Sequence, residues 1–121
     1  MAVAMSGATA IVAALSVAVA AIGMLYAARA QVTNAADAAA LAAAVSTYPP
    51  ASATEPVTAA RNAAELNDAM LLNCRCPRDA SLAARTVEVV TAVEVEVPVF
   101  GEVTVRGISR AEFDPVSWMG R

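Results

Sequence analysis

The first 28 residues of this chain contain no charged side chain, and the first charge belongs to Arg29. A helix needs about 20 apolar residues to cross the hydrocarbon core of a bilayer, and this run exceeds that length. A free soluble domain has no place to bury such a helix. The run therefore has to lie in lipid, against copies of itself or against a partner, and this requirement narrows the function more than any motif in the chain.

The composition indicates one small domain attached to this apolar segment. Hydrophobic residues make up 59% of the 121 residues and aromatic residues only 4%, because the excess is mostly Ala and Val. Such residues make a poor large core but pack well between helices. The net charge of −3, with all basic residues being scattered Arg, argues against nucleic acid as a partner.

Several interpretations of the apolar run remain open. A secretory signal peptide has a basic region, an apolar core of about 7–15 residues and a small-residue cleavage site. Here no basic residue precedes the run, the run is longer than such a core, and residues 26–30 match a cleavage site only weakly. A plain transmembrane anchor is the simplest alternative. A third interpretation is that a basic leader once preceded Met1 and has been removed.

The residues after the first charge predict that the helix continues beyond the membrane. Residues 24–48 contain neither Gly nor Pro, and they are rich in Ala, which is the strongest helix former. Pro49 and its neighbouring Pro then forbid continuation. We predict one helix from near the N-terminus to about Ser46, roughly 65 Å long. It is apolar over residues 1–28 and amphipathic over residues 29–46.

The amphipathic half of this helix has two predicted faces. Apolar residues at helical spacing are expected to face a folded head, namely Val32, Ala35, Ala36, Ala39 and Ala43. A second stripe at i, i+4 spacing is expected to face outward, namely Arg29, Thr33 and Asp37.

The apolar half is rich in small residues, which let helices approach closely where lipid removes the hydrophobic force between them. This pattern favours packing against identical helices over a lone anchor, which would more naturally carry Leu, Ile and Phe. The residues expected at the packing or membrane surface are Met1, Met5, Gly7, Ile11, Ala14, Leu15, Ala18, Ile22 and Gly23.

The remaining residues predict a linker and a small α+β head. Residues 47–56 form the linker, in which Ser52 and Glu55 have the spacing of a helix capping box. Residues 57–72 are predicted to form a second helix. Its apolar stripe is expected to comprise Ala59, Ala63, Leu66, Met70 and Leu71.

Alternating Val and charged residues predict a small antiparallel sheet. The strands are expected at about 86–97 and 102–108, with a third at 109–113, and the sheet should pack on the outer half of the long helix. In the tail, residues 114–121, Trp118 is expected to act as a hydrophobic clasp on the sheet. The predicted fold class is α+β, with a long N-terminal hydrophobic helix, a short second helix and this sheet.

Cys74 and Cys76 have three readings: a local disulfide, a metal or redox site, and two reduced thiols. A disulfide is favoured because an exported chain meets an oxidising environment, although the two cysteines also allow an intermolecular pairing. Two cysteines cannot complete a four-ligand zinc site, and the chain has no His. We expect no metal and no cofactor.

No residue pattern predicts catalysis. Glu94 and Glu96, with Glu88, are expected on a solvated strand face rather than at an acid–base site. The serines have no His to activate them, and no Gly-rich phosphate loop occurs. We expect that the chain is not an enzyme.

One segment resembles a known family. Residues 28–44 read A-R-A-Q-V-T-N-A-A-D-A-A-A-L-A-A-A. This matches the A-R-x-Q-x-x-N-A-A-D-A-A-A-L-A-A-A signature of the TadE/TadG-like proteins of tight-adherence (Tad) pili, and the long apolar helix before a small sheet is similar to type IV pilins. The residues in register with the signature are Arg29, Gln31, Asn34, Asp37 and Leu41.

The resemblance implies a precursor in the cytoplasmic membrane that joins an extracellular filament as a pilin or minor pilin. Its implied partners are copies of itself or other pilins, the bilayer before assembly, and the pilus assembly machinery. Many pilins have Glu at mature position 5, where Met5 stands here. If Met1 is the mature terminus, either docking relies on packing alone or this subunit follows different rules.

Two other functions remain as alternatives. The chain could be a membrane-anchored, pseudopilin-like minor component that primes assembly of a pilus or secretion apparatus. It could also be a soluble binding module released after cleavage near Ala30.

Overall fold

The computed structural model describes the backbone of residues 2–120 and the side chains of residues 6–120. Its elements follow in the order α1 (Ala2–Ser46), α2 (Pro56–Leu66), β1 (Met70–Arg75), β2 (Arg85–Val97), β3 (Gly101–Phe113) and α3 (Pro115–Met119). The three strands form one antiparallel sheet in the order β1-β2-β3. The predicted α+β class, with its long first helix, is confirmed.

Helix α1 runs without interruption for 45 residues, which corresponds to about 68 Å. It ends at Ser46, as predicted. Beyond that point the Thr47 hydroxyl donates a hydrogen bond to the Ala44 carbonyl at 2.6 Å, and Pro49 lies in the turn that follows. The apolar face expected to meet the head is fully buried at Val32, Ala35, Ala36, Ala39 and Ala43.

The second helix is shorter than predicted, and the expected helix over residues 57–72 is wrong beyond Leu66. Asn67 caps the helix, and its side-chain amide donates to the Ala63 carbonyl at 2.8 Å. Asp68 adopts a left-handed backbone conformation with φ of 55°. Short polar residues tolerate that conformation and end helices in this way.

The buried face of α2 also differs from the predicted stripe. Ala60 and Ala64 are fully buried, whereas Leu66 and Met70 are exposed. The contact is made with the Ala face of α1, and only small side chains allow two helices to lie this close. Leu66 therefore points outward from α2, while Leu71, in β1, is partly buried against the core.

Residues 109–113 do not form a third strand. They continue β3, which is a single strand of 13 residues paired with β2 along its whole length. The third strand is β1, which pairs with β2 from Met70↔Ala92 to Arg75↔Glu88. Residues 70–72 of β1 fall within the expected second helix, because the apolar residues of β1 do not alternate strictly with polar ones.

The predicted capping box is also wrong. Glu55 is itself the residue that precedes α2, and it makes no side-chain capping bond. Its carboxylate instead accepts a hydrogen bond from Arg78 at 2.7 Å, while the Ser52 hydroxyl accepts from the Thr54 backbone amide. Pro56 is the first residue of α2, a position where its fixed φ suits the helix.

One arginine organises the end of the head farthest from the apolar half of α1. Arg85 donates to the backbone carbonyls of Asp79 and Ser81, and its guanidinium lies 5.8 Å from the centroid of the Tyr48 ring. The Asp79 backbone amide donates to the Thr47 carbonyl at 2.7 Å. The loop before β2 is thereby held against the C-terminal end of α1.

Three aromatic rings pack together at this same end of the head. Trp118 in α3 lies 6.3 Å from both Tyr48 and Phe113, measured between ring centroids. The tail thus packs on a strand residue and on the turn after α1, so Trp118 clasps the helix end as well as the sheet.

The β2–β3 hairpin lies directly along α1. The Thr91 hydroxyl donates to the Val32 carbonyl at 2.9 Å, and both groups are buried. Gly107, paired with Thr91 in the sheet, faces the same point of the helix. A Cβ atom at Gly107 would lie 2.7 Å from the Val32 carbonyl oxygen, so the strand touches the helix backbone itself.

We therefore predict that Gly107→Ala destabilises the head by about 1–3 kcal/mol, because its methyl group overpacks a rigid backbone contact. Urea unfolding of the full chain in detergent, followed by Trp118 fluorescence, measures the change. Gly23→Ala is the matched control, since a Cβ atom there has nothing within 4 Å. Equal stability of the two variants would contradict the close contact.

Candidate functional site

The N-terminal half of α1 is the most distinctive surface of the molecule, because the head leaves most of it uncovered. We call residues 6–23 the bare half of α1. Every described side chain from Ser6 to Ala20 is exposed, although nearly all of them are apolar. Ala21, at 5% exposure, is the first buried residue of the described helix. The segment is long and apolar enough to cross a membrane and lies near the N-terminus.

The residues predicted at the packing or membrane surface lie on this bare half. Side chains or Cα atoms are exposed at Gly7, Ile11, Ala14, Leu15, Ala18, Ile22 and Gly23. Met1 and the side chain of Met5 lie outside the described residues. A Cβ atom at Gly7 would meet nothing within 4 Å, so the surface around it is open to a neighbouring molecule.

Two of the family-signature residues attach α1 to the head. The Gln31 side-chain amide donates to the Asp68 carbonyl at 3.1 Å, at the left-handed residue that ends α2. Asp37 accepts a 2.6 Å hydrogen bond from the Ser109 hydroxyl on β3. These two contacts hold α2 and β3 against the same turns of the helix.

The other three signature residues are exposed. Leu41, with 64% exposure, is a large apolar side chain on the solvent side of α1. Arg29 and Asn34 line a shallow cleft of about 310 Å³ together with Tyr26. Tyr and Arg at the end of an apolar helix are typical of the membrane–water interface.

The tip of the β2–β3 hairpin is a second apolar surface that the sequence patterns do not reveal. Val99 is 87% exposed and Phe100 is 73% exposed. Val99 has a φ of 74°, which is an outlier for a β-branched residue, and Gly101 follows with a φ of 78°. This turn therefore holds two large apolar side chains away from the head.

A group of carboxylates lies next to this tip, on the outward face of the sheet. Glu96 is directly opposite Glu102, and Glu94 lies two pairs farther from the tip, opposite Thr104. A hydrogen bond with Glu102 and the charge of Glu102 raise the pKa of Glu94 above its usual value. Glu94 and Glu96 are exposed, as predicted for a solvated strand face.

Glu88 lies on the same outward face of β2, but it stands apart from that group and is less exposed than Glu94 and Glu96. It is half-buried, and it accepts a 2.8 Å hydrogen bond from Arg110 on the neighbouring strand. A cross-strand Arg explains the difference, because alternation along one strand does not report the partner opposite.

Cys74 and Cys76 are joined by a disulfide that encloses a single residue at the end of β1. Cys76 is buried in the cluster that also contains Tyr48 and Phe113. Within residues 6–120, no three His, Cys, Asp or Glu side chains are grouped so as to hold a metal ion.

Comparison of the chain with protein-family models, with curated proteins and with solved structures gives no match. The functional argument therefore depends on the surfaces described above.

The carboxylates beside the hairpin tip generate a pH prediction. The folded-state pKa of Glu94 is raised, so ionisation is harder in the folded chain and stability falls as the pH rises through this range. Glu102→Gln should lower the pKa of Glu94 and increase stability at pH 7. The gain should vanish below the ordinary Glu pKa of about 4.3, where the Glu94 carboxyl is protonated in both the folded and the unfolded chain.

Carboxyl NMR titration and urea unfolding at several pH values measure these two effects. Glu112→Gln is the control, because Glu112 lies in the same strand opposite Thr86. An unchanged Glu94 titration in Glu102→Gln would refute the coupling.

Proposed function

We propose that this chain is a structural subunit, a pilin or minor pilin, of an extracellular filament of the Tad or type IV pilus kind. One observation carries the proposal. A single unbroken helix is buried in its own head over one half and projects a bare apolar surface over the other half. That division supplies a membrane span before assembly and a helix for the filament core afterwards.

The division between the halves supports this role. Residues 29–46 present their Ala face to the sheet and to α2, whereas the head covers none of the described side chains of residues 6–20. Those residues need an external partner, which is first the bilayer and then the equivalent helices of other subunits.

The energetics explain how one surface can serve both states. Transfer of apolar area from water is worth about 25 cal/mol per Å², and lipid already supplies most of that gain. Assembly then depends on the difference between helix–helix and helix–lipid packing, in which small residues favour the helix pair. We propose that extraction from the bilayer requires the pilus assembly machinery.

The remaining features agree with an exported structural protein. The Cys74–Cys76 disulfide is typical of a chain that folds in an oxidising compartment outside the cytoplasm. The acidic head carries outward carboxylates and no basic patch for nucleic acid. We propose a non-enzymatic protein at the cell surface, with a precursor in the cytoplasmic membrane and no cofactor.

A second candidate is a minor, pseudopilin-like component that stays in the membrane and primes assembly of a pilus or secretion apparatus. The exposed apolar helix serves this candidate equally well, because a membrane anchor and a filament core need the same surface. Electron microscopy of sheared surface material separates the two. Abundant fibres that contain this chain support the filament subunit, and its retention in the membrane fraction supports the minor component.

We expect Gly7→Phe and Ala14→Phe to abolish or strongly reduce fibre yield while leaving membrane insertion intact. Among the described residues, nothing lies within 4 Å of a Cβ atom at Gly7, so we expect the effect of the larger side chain to come from other molecules. Overpacking costs about 1–3 kcal/mol at each contact, and every subunit of a fibre carries the substitution. Quantification of the chain in sheared and membrane fractions measures the outcome.

Gly7→Ala and Leu15→Ile are the matched controls, since neither adds a bulky group, and both should assemble. Normal fibre yield from both Phe variants would contradict a helical core. An N-terminal sequence that begins near Ala30 would instead show that the apolar half is removed and that the head is released as a soluble module.

A further inference from the structure

We infer that the tip of the β2–β3 hairpin, Val99 and Phe100, inserts into the lipid surface beside α1 as a second point of membrane attachment. The inference rests on the membrane-embedded precursor of the proposed function, and it does not depend on filament assembly. It commits to the acyl chains at the membrane surface as the partner of the tip.

The first step is the position of the hairpin along α1. Arg85 at the start of β2 reaches the Thr47 carbonyl, and Thr91 reaches the Val32 carbonyl, so β2 runs back toward the N-terminus of the helix. Val97 lies six residues beyond Thr91, which is at most about 20 Å. That distance corresponds to about 13 helix residues and ends no farther than about residue 19.

The burial of the two elements agrees with this position. The odd-numbered residues of β2 face the helix, and Val97, the last of them, is almost fully buried. On α1, burial begins at Ala21 and recurs at Ala28 and Val32, and all described side chains before Ala21 are exposed. The hairpin therefore covers about two turns of helix that precede the first charge at Arg29.

The second step is the depth of the membrane. A hairpin edge exposes backbone amides and carbonyls that hydrocarbon cannot satisfy, so the strands have to remain outside the bilayer core. The part of α1 left for the core is then residues 2–20, about 28 Å long. This matches the roughly 30 Å thickness of a bilayer hydrocarbon core, although the uncharged run itself is longer.

The third step is the chemistry at that depth. Because the hairpin is packed on α1, a membrane that accepts residues 2–20 has its surface at the level of the turn. The residues that meet this surface are Val99 and Phe100, both mostly exposed. Glu96 and Glu102 flank the turn on the outward face and cannot enter hydrocarbon, so only the turn is inserted.

Leu82, another large exposed apolar residue of the head, does not share this position. Leu82 precedes β2 in the loop that Arg85 holds near Thr47, at the far end of the head. The apolar tip thus lies at the level where the bare half of α1 begins, whereas Leu82 is separated from that level by the length of β2. Attachment at two points fixes the depth and tilt of the head on the membrane.

Depth-dependent fluorescence quenching tests the inference in the full chain, reconstituted in phosphatidylcholine vesicles. In a Trp118→Phe background, the single introduced Trp is the only one, since the chain has one natural Trp. Three variants are compared: Phe100→Trp at the tip, Leu15→Trp in the span, and Leu82→Trp at the far end of the head. Lipids are brominated either near the headgroup or near the chain ends.

We expect Phe100→Trp to emit at shorter wavelength and to be quenched mainly by bromine near the headgroup. Leu15→Trp should be quenched mainly by bromine near the chain ends, and Leu82→Trp by neither lipid. Quenching at Leu15 without quenching at Phe100 overturns the inference and leaves the membrane-embedded precursor intact. The absence of quenching at Leu15 overturns both.

A blue-shifted but unquenched Phe100→Trp overturns the inference in a different way, because it shows that protein from a neighbouring subunit covers the tip. Since Trp itself favours the membrane interface, a second probe removes that bias. Val99→Cys is labelled with a nitroxide, and Cys74 and Cys76 do not compete because their thiols are joined. Collisions with oxygen should exceed those with a polar nickel chelate at residue 99, and the reverse result contradicts insertion.

Discussion

The contact between the α1 backbone and the β2–β3 hairpin is the constraint on which the rest of the structure depends. Gly107 leaves no room for a side chain against Val32, and Thr91 satisfies the Val32 carbonyl from the same side. These two residues set the distance between sheet and helix. Because α1 is unbroken through this point, the head and the bare apolar half form one rod, and whatever covers the apolar half also orients the head.

Small side chains make both halves of that rod possible. In the amphipathic half, Ala faces the sheet and α2, and the close approach yields many weak dispersion contacts. In the apolar half, a Cβ atom at Gly7 or Gly23 would meet no described atom within 4 Å, and large side chains such as Leu15 stand exposed between the small residues. When such a helix leaves lipid for a neighbouring helix, the hydrophobic effect contributes little free energy and dense packing contributes more. This suits the transfer from bilayer to filament that we propose.

The sequence predicts the parts of this fold that depend on one local signal. Uncharged residues, absent helix breakers and two adjacent prolines are sufficient for α1 and its end at Ser46, and the alternating Val residues are sufficient for β2 and the first half of β3. The end of α2 depended on a left-handed Asp68, and β1 depended on pairing with a strand about 20 residues away. Neither leaves a periodic pattern, so both were missed.

The candidate site divides in the same way. Its bare helix could be predicted, because the lack of charge over residues 1–28 needs no tertiary information. The point along α1 where burial begins is Ala21 rather than Arg29. This point follows only from the register of the hairpin on α1. The roles of Gln31 and Asp37 in docking the head likewise appear only once α2 and β3 are in place.

The central claim is that residues 6–20 are covered by lipid or by other copies of the chain and never by water. Sedimentation of the purified intact chain in buffer without detergent, with its mass verified, tests this most directly. The account predicts large assemblies or insoluble material, with a discrete particle only in detergent or a membrane mimic. A stable, water-soluble monomer that retains its full apolar helix would contradict it.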